Sequence, residues 1–96
     1  MTNEWSHIEG YIENILVLAK DRLEQDAVDS VEHYLAHAEY EMAFELLFLE
    51  LFKLRELPSI DLKDCIRIAE QLKLNEETVY DVEFWEKLNQ FCSKKL

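Results

Sequence analysis

Few residues in this chain have types and spacing that could support chemistry. His33 and His37 lie four positions apart and Glu41 follows four later, so one continuous helix would place all three on one face. Two imidazoles and a carboxylate in that arrangement are a plausible set of Zn²⁺ ligands. However, a turn expected at Ala38–Glu39 would separate Glu41 from the histidines. The helix dipole favours cationic histidines near a helix C-terminus, which would explain their position without a metal ion. A small metal-binding helical protein is therefore one hypothesis, although we expect no metal ion or other cofactor.

Motifs for catalysis are absent from the sequence. It contains no GxGxxG, GxxxxGK[ST], GxSxG or HExxH pattern, and none of its four serines stands beside a His–acid pair. Carboxylates are abundant, but at this density they usually form a solvated surface rather than a general acid–base pair. We predict that the protein is not an enzyme.

The chain is strongly acidic. Twenty-one acidic residues against ten basic ones give a net charge of −11 at pH 7. Such a chain is repelled by nucleic-acid phosphates and by anionic membrane surfaces, so a cationic protein is the expected partner. No apolar run approaches the roughly 20 residues of a membrane span, and no secretion signal begins the sequence. We therefore expect a cytoplasmic protein that contacts neither nucleic acid nor membrane.

The acidity is concentrated in one part of the chain. Between Leu23 and Phe52 there are eight acidic residues and neither Lys nor Arg. This face could merely aid solubility, or it could dock on a basic cleft, where complementary fields raise association rates and set specificity. The docking hypothesis predicts partner contacts by five carboxylates, with two aromatic residues as apolar anchors: Asp29, Glu32, Glu39, Glu41 and Glu45, with Tyr40 or Phe48.

These residues must be positioned by helices. One Gly and one Pro in 96 residues argue against hairpins and glycine-rich loops. Apolar residues at helical spacing instead predict an all-α fold, a single domain over residues 1–96 built as a compact antiparallel bundle of about five short helices. The first helix is predicted to begin at Ser6, which forms a capping-box pattern with Glu9. Its apolar stripe is Ile8, Tyr11, Ile12, Ile15, Leu16, Ala19 and Leu23.

The second helix is predicted to begin near Asp26, with Val28, Val31 and Leu35 inward, and the third to span Glu39 to about Leu54. In the third helix a second column contains Glu45, Phe48 and Phe52. Its aromatic residues are either covered by another helix or exposed for contact, and large exposed apolar patches are uncommon on monomers. We therefore predict that another helix covers them.

The last third of the chain is predicted to hold two more helices. Leu57–Ser59 ends the third helix at Pro58, and Asp61 is the predicted cap of a fourth helix with Leu62 and Cys65 on its inner face. Glu76 and Glu77 suit the positive end of a fifth helix that presents an aromatic face, Tyr80, Phe84, Leu88 and Phe91. Cys65 and Cys92 are expected to be reduced and buried. Trp5 and Trp85 are expected in the core more than at an interface.

The segment from Val31 to Leu47 carries a resemblance to a known family. An apolar helix is followed by a small residue, an acidic–aromatic pair, an alanine and a Leu-rich helix, here Val31, Leu35, Ala38, Glu39, Tyr40, Ala43 and Leu47. This pattern resembles the helix–turn–helix core of MafI-type bacterial immunity proteins, related to those that protect against contact-dependent growth inhibition toxins. The resemblance covers about half the chain, roughly Ile8 to Leu54. Ala38 stands where many members of the family have Gly.

The resemblance implies a function. Proteins of this kind are cytoplasmic, are made alongside a toxin and block the toxin's C-terminal domain by occlusion, without catalytic residues of their own. Such toxins are often nucleases, whose cationic clefts an acidic inhibitor would fit. The sequence therefore predicts an immunity protein that neutralises a cognate, cationic toxin domain. The alternative is a general helical adaptor without a dedicated toxin.

Overall fold

The order of the elements follows from the apolar stripes of the sequence. The computed structural model describes residues 4–56 and 63–95, and within these ranges there are helices and no strand. The five helices are α1 (Glu4–Ala19), α2 (Gln25–Ala36), α3 (Tyr40–Phe52), α4 (Cys65–Gln71) and α5 (Phe84–Lys95), with a short 3₁₀ turn, Lys20–Arg22, after α1. None of these helices is long and apolar enough to cross a membrane. The predicted all-α fold is confirmed.

Helix α3 lies at the centre of the bundle. It packs against α1, α2 and α5, while α4 packs against α5. Phe44 and Phe48 stack with ring centroids 4.4 Å apart, and Phe91 of α5 covers both Phe48 and Phe52. The prediction that another helix covers the aromatic column of α3 is confirmed, and the covering helix is α5.

The inward stripes of α1 and α2 match the predicted ones. Ile8, Ile12, Val28 and Val31 are all buried in one core with α3. The predicted starts are less accurate. Helix α1 already includes Glu4, so Ser6 lies inside the helix instead of capping it, and α2 begins at Gln25, with no side-chain hydrogen bond at its cap.

A tight turn at Ala38 separates α2 from α3. Ala38 has φ 57°, and the N–H groups of Ala38 and Glu39 donate to the carbonyl oxygens of Leu35 and Tyr34. This pair of bonds defines a Schellman motif, in which glycine is favoured at the left-handed position because it has no Cβ. The turn predicted at Ala38–Glu39 is thus present, with an alanine in a conformation that suits glycine.

The C-terminal third departs from the prediction. Helix α5 begins at Phe84, so Glu76, Glu77 and Tyr80 lie in the connection before it and not within a helix. Asp64 occupies the cap position of α4. Helix α3 ends at Phe52, close to the predicted Leu54. The segment Leu57–Ser59, the predicted cap Asp61 and the inward Leu62 lie outside the described residues.

Two side-chain predictions are corrected in part. Cys65 and Cys92 are buried as expected, but they lie paired between α4 and α5 and are not separate side chains. Trp85 is half-buried against the core, whereas Trp5 is 47% exposed and stacks on Tyr40. Trp5 therefore lies at the surface and not in the core.

Replacing Ala38 by glycine should stabilise the fold. The left-handed conformation costs an L-residue roughly 1–2 kcal/mol, and glycine avoids this cost. Glycine also gives the unfolded chain more conformational entropy, which offsets part of the gain. Ala38→Gly should therefore raise the free energy of unfolding by about 1 kcal/mol. Urea unfolding followed by circular dichroism measures the change. The matched control is Ala36→Gly in the last turn of α2, which should lower the free energy by about 0.5–1 kcal/mol. An Ala38→Gly variant no more stable than the parent would contradict the strain assigned to this turn.

Candidate protein-interaction surface

The carboxylate of Glu45 is buried between α3 and the connection before α5. Its Oε1 accepts a hydrogen bond from the N–H of Val79 at 2.8 Å, and its Oε2 accepts from the N–H groups of Tyr80 and Asp81, both at 2.9 Å. The side chain is 0% exposed. A buried carboxylate loses the water that would hydrate it at the surface. Three backbone N–H groups replace that water here, and their hydrogen bonds allow the charge to be buried.

Two residues predicted to contact a partner are therefore inside the protein. Glu45 directs its carboxylate inward to residues 79–81, and Phe48 is fully buried between Phe44 and Phe91. Neither can touch a partner in this fold, so both predictions are wrong. The physical reason is the same for each, since α5 and its preceding connection cover that column of α3.

The remaining predicted contact residues lie at or near the surface. Asp29, Glu32 and Glu41 are exposed, while Glu39 and Tyr40 are half-buried. The exposed residues come from two helices separated by the Ala38 turn. Asp29, Glu32 and Glu41 are thus accessible to a partner.

Tyr40 links α3 to α1. Its hydroxyl donates to Glu9 Oε2 at 2.7 Å, and its ring stacks on Trp5 with centroids 5.8 Å apart. The hydrogen bond to Glu9, with the negative charge that Glu9 carries, raises the pKa of Tyr40. The phenol holds the carboxylate of Glu9 beside the first turn of α3.

An acid-lined groove of about 550 Å³ lies between α1 and α2. Its carboxylates are Glu9 and Glu13 from α1 and Glu32 from α2, and its described lining contains no basic side chain. These three form no ion pair with another described residue. The apolar part of the lining is Leu16, Val17, Leu35 and Ala36. We call this feature the α1–α2 groove.

The groove contains site residues that sequence reasoning missed. Glu9 and Glu13 are four positions apart on the polar side of α1, which is a detectable signal, but α1 lies outside the base-free segment of the sequence. Whether they face α2 depends on how the two helices pack on α3. By contrast Glu50, within the base-free segment, is paired with Lys53 at 2.8 Å and its charge is locally compensated.

The histidine pair is brought together without a third ligand. The rings of His33 and His37 lie 4.4 Å apart near the end of α2. Over residues 4–56 and 63–95, no group of three or more His, Cys, Asp or Glu side chains is arranged to hold a metal ion. Glu41 belongs to α3, beyond the Ala38 turn. The expected turn thus separates Glu41 from the helix that carries the two histidines.

Comparisons with known proteins add no assignment. No protein-family model matches the sequence, and neither the curated proteins nor the solved structures yield a significant match. The resemblance to MafI-type immunity proteins therefore stays a prediction from the residues that carry it.

Removing the charge of Glu45 should destabilise the bundle. Glu45→Gln keeps the shape but leaves one carbonyl oxygen and an NH₂ group facing three N–H donors, which should lower the free energy of unfolding by roughly 2–4 kcal/mol. The matched control is Glu41→Gln, one turn earlier on α3 and exposed, which should change it by less than about 0.5 kcal/mol. Urea unfolding of both variants makes the comparison. Equal stabilities would show that the buried carboxylate is not the link between α3 and residues 79–81.

Proposed function

We propose that this chain is a cytoplasmic immunity protein that binds a cationic toxin domain, with a nuclease as the expected target, and neutralises it by covering its basic active-site surface. The observation that carries the proposal is the α1–α2 groove, a concavity with three carboxylates and no basic side chain in its described lining. The proposal revises the predicted contacts. Glu9 and Glu13 join Glu32, Asp29 and the residues near the Ala38 turn, and Glu45 and Phe48 leave the set.

The free protein keeps like charges close together in this groove. Glu9 and Glu13 are spaced at i, i+4, where like-charged pairs are mutually destabilising, and Glu32 faces them from α2. A cationic side chain entering the groove would relieve that repulsion. Its aliphatic stem would lie on Leu35 and Ala36 while its charge met the carboxylates, as long basic side chains commonly do. The groove thus favours Lys or Arg side chains that protrude from the partner's surface.

A growth experiment tests the proposed function directly. An immunity gene lies immediately downstream of its toxin gene, so the test toxin is the C-terminal domain encoded directly upstream of this chain in its own genome. We expect cells producing that domain to stop growing, and cells producing both proteins to grow. If the upstream gene encodes no toxic domain, or if co-expression gives no protection, the immunity proposal is wrong and a general adaptor becomes the better account.

Reversing groove charges should slow association with that toxin domain. Glu13→Lys combined with Glu32→Lys should reduce the association rate constant about 10-fold at low ionic strength, with the difference shrinking as salt screens the field. Surface plasmon resonance with a catalytically inactivated toxin domain measures both rate constants.

The control must separate local from overall charge. Glu70→Lys on α4 combined with Glu86→Lys on α5 changes the net charge by the same amount at two exposed positions outside the groove lining. This variant should associate at close to the parent rate. If both double variants slowed association equally, the effect would belong to net charge and the α1–α2 groove would not be the docking surface.

A further inference from the structure

The connection between α4 and α5 exposes an unusual share of apolar surface. Within residues 76–83, here called the α4–α5 loop, Val79 is 61% exposed and Val82 is 92% exposed, with Tyr80 at 45%. These three account for half of the six large hydrophobic residues exposed among the described residues. Apolar side chains grouped at one loop mark an interaction site more often than scattered ones do.

The loop is held in one conformation by polar contacts. Glu45 accepts hydrogen bonds from three consecutive N–H groups, those of Val79, Tyr80 and Asp81. Asp81 in turn accepts from the N–H of Glu83 at 2.8 Å and pairs with Lys87 of α5. The apolar side chains are therefore positioned before any partner arrives, which reduces the ordering entropy that binding must overcome.

A second link ties the loop to α2. The hydroxyl groups of Tyr34 and Tyr80 are hydrogen-bonded to each other, and their rings meet edge to face. Partial burial and, after it, this hydrogen bond raise the pKa of Tyr80 to about 12. Tyr34 and Glu32 are two positions apart on α2 and therefore point to opposite flanks of that helix. The α1–α2 groove and the α4–α5 loop therefore lie on opposite flanks of α2, with its exposed residues Asp29 and His33 between them.

The charges around the loop restrict what can bind there. Glu76, Glu77 and Glu83 are exposed beside the two valines. A pocket of about 390 Å³ next to Val82 is lined by Glu76, Glu77 and the ring of Trp85, a set of groups that suits a basic side chain. A second copy of the chain would bring the same carboxylates against each other, and each copy carries a net charge of −11. The loop therefore fits a partner that has an apolar pocket with a cationic rim.

We propose that the α4–α5 loop is the apolar anchor of the same interface, with Val79 and Val82 inserting into an apolar pocket on the cationic toxin domain. The inference rests on the proposed function and adds apolar contacts, which the acidic groove does not supply. Electrostatic complementarity mainly sets the association rate, whereas buried apolar contacts at the centre of an interface mainly set how slowly a complex dissociates.

The two contributions are separable by kinetics. Val79→Ser combined with Val82→Ser should raise the dissociation rate constant of the complex with the inactivated toxin domain about 10-fold or more. The association rate constant and its salt dependence should stay close to those of the parent. The matched control is Leu18→Ser, also an exposed apolar residue, which lies outside the groove lining on α1 and should leave both rate constants unchanged.

Each outcome decides between the two proposals. If the parent chain does not bind the toxin domain, the proposed function fails and this inference fails with it. If the parent binds and the two-valine variant dissociates no faster, the loop is not the anchor, while the groove proposal stands. Sedimentation equilibrium of the free protein completes the test, because a dimer that the valine substitutions dissolve would make a second copy the occupant and overturn the inference.

Discussion

The buried carboxylate of Glu45 is the interaction on which the rest of the structure depends. A charged group in the middle of α3 would be prohibitively costly in an apolar core without compensating donors. Its compensation comes from the backbone of residues 79–81, more than thirty positions away in sequence. These hydrogen bonds hold the connection before α5 against α3, and α5 in turn covers the aromatic column of α3. The helical hairpin and the C-terminal third are thereby held as one body.

This arrangement divides the acidic residues into two groups with different roles. Glu45 is used internally, where its charge organises backbone amides and has no access to a partner. Glu9, Glu13 and Glu32 meet at the α1–α2 groove, where their charges are unopposed by any described basic side chain. An acidic chain can thus use glutamate in two ways. A buried glutamate stabilises the fold, and an exposed one can attract a cationic partner. Glu45 also orders the α4–α5 loop, which exposes Val79 and Val82 beside its own carboxylates Glu76, Glu77 and Glu83.

Periodicity predicted most of the fold and less of the site. The stripes of α1 and α2, the turn at Ala38 and the central position of α3 follow from local spacing, because each depends on residues close in sequence. The start of α5 could not be predicted from local spacing. Glu76 and Glu77 form a good helix-start pattern, but the tertiary contact between Glu45 and residues 79–81 overrides it. Glu45 itself looked like a surface acid for the same reason. Its donors lie in another part of the chain, and no local pattern reports them.

We propose that the α1–α2 groove, the exposed side of α2 and the α4–α5 loop together bind the partner. Backbone amide chemical shifts of the labelled protein, followed by NMR while the inactivated upstream toxin domain is added, test it most directly. We expect large changes in Glu9–Val17, Asp29–Ala36 and Val79–Val82, and little change in α4. Changes concentrated in α4 and the outer side of α5, with the groove unaffected, would contradict it.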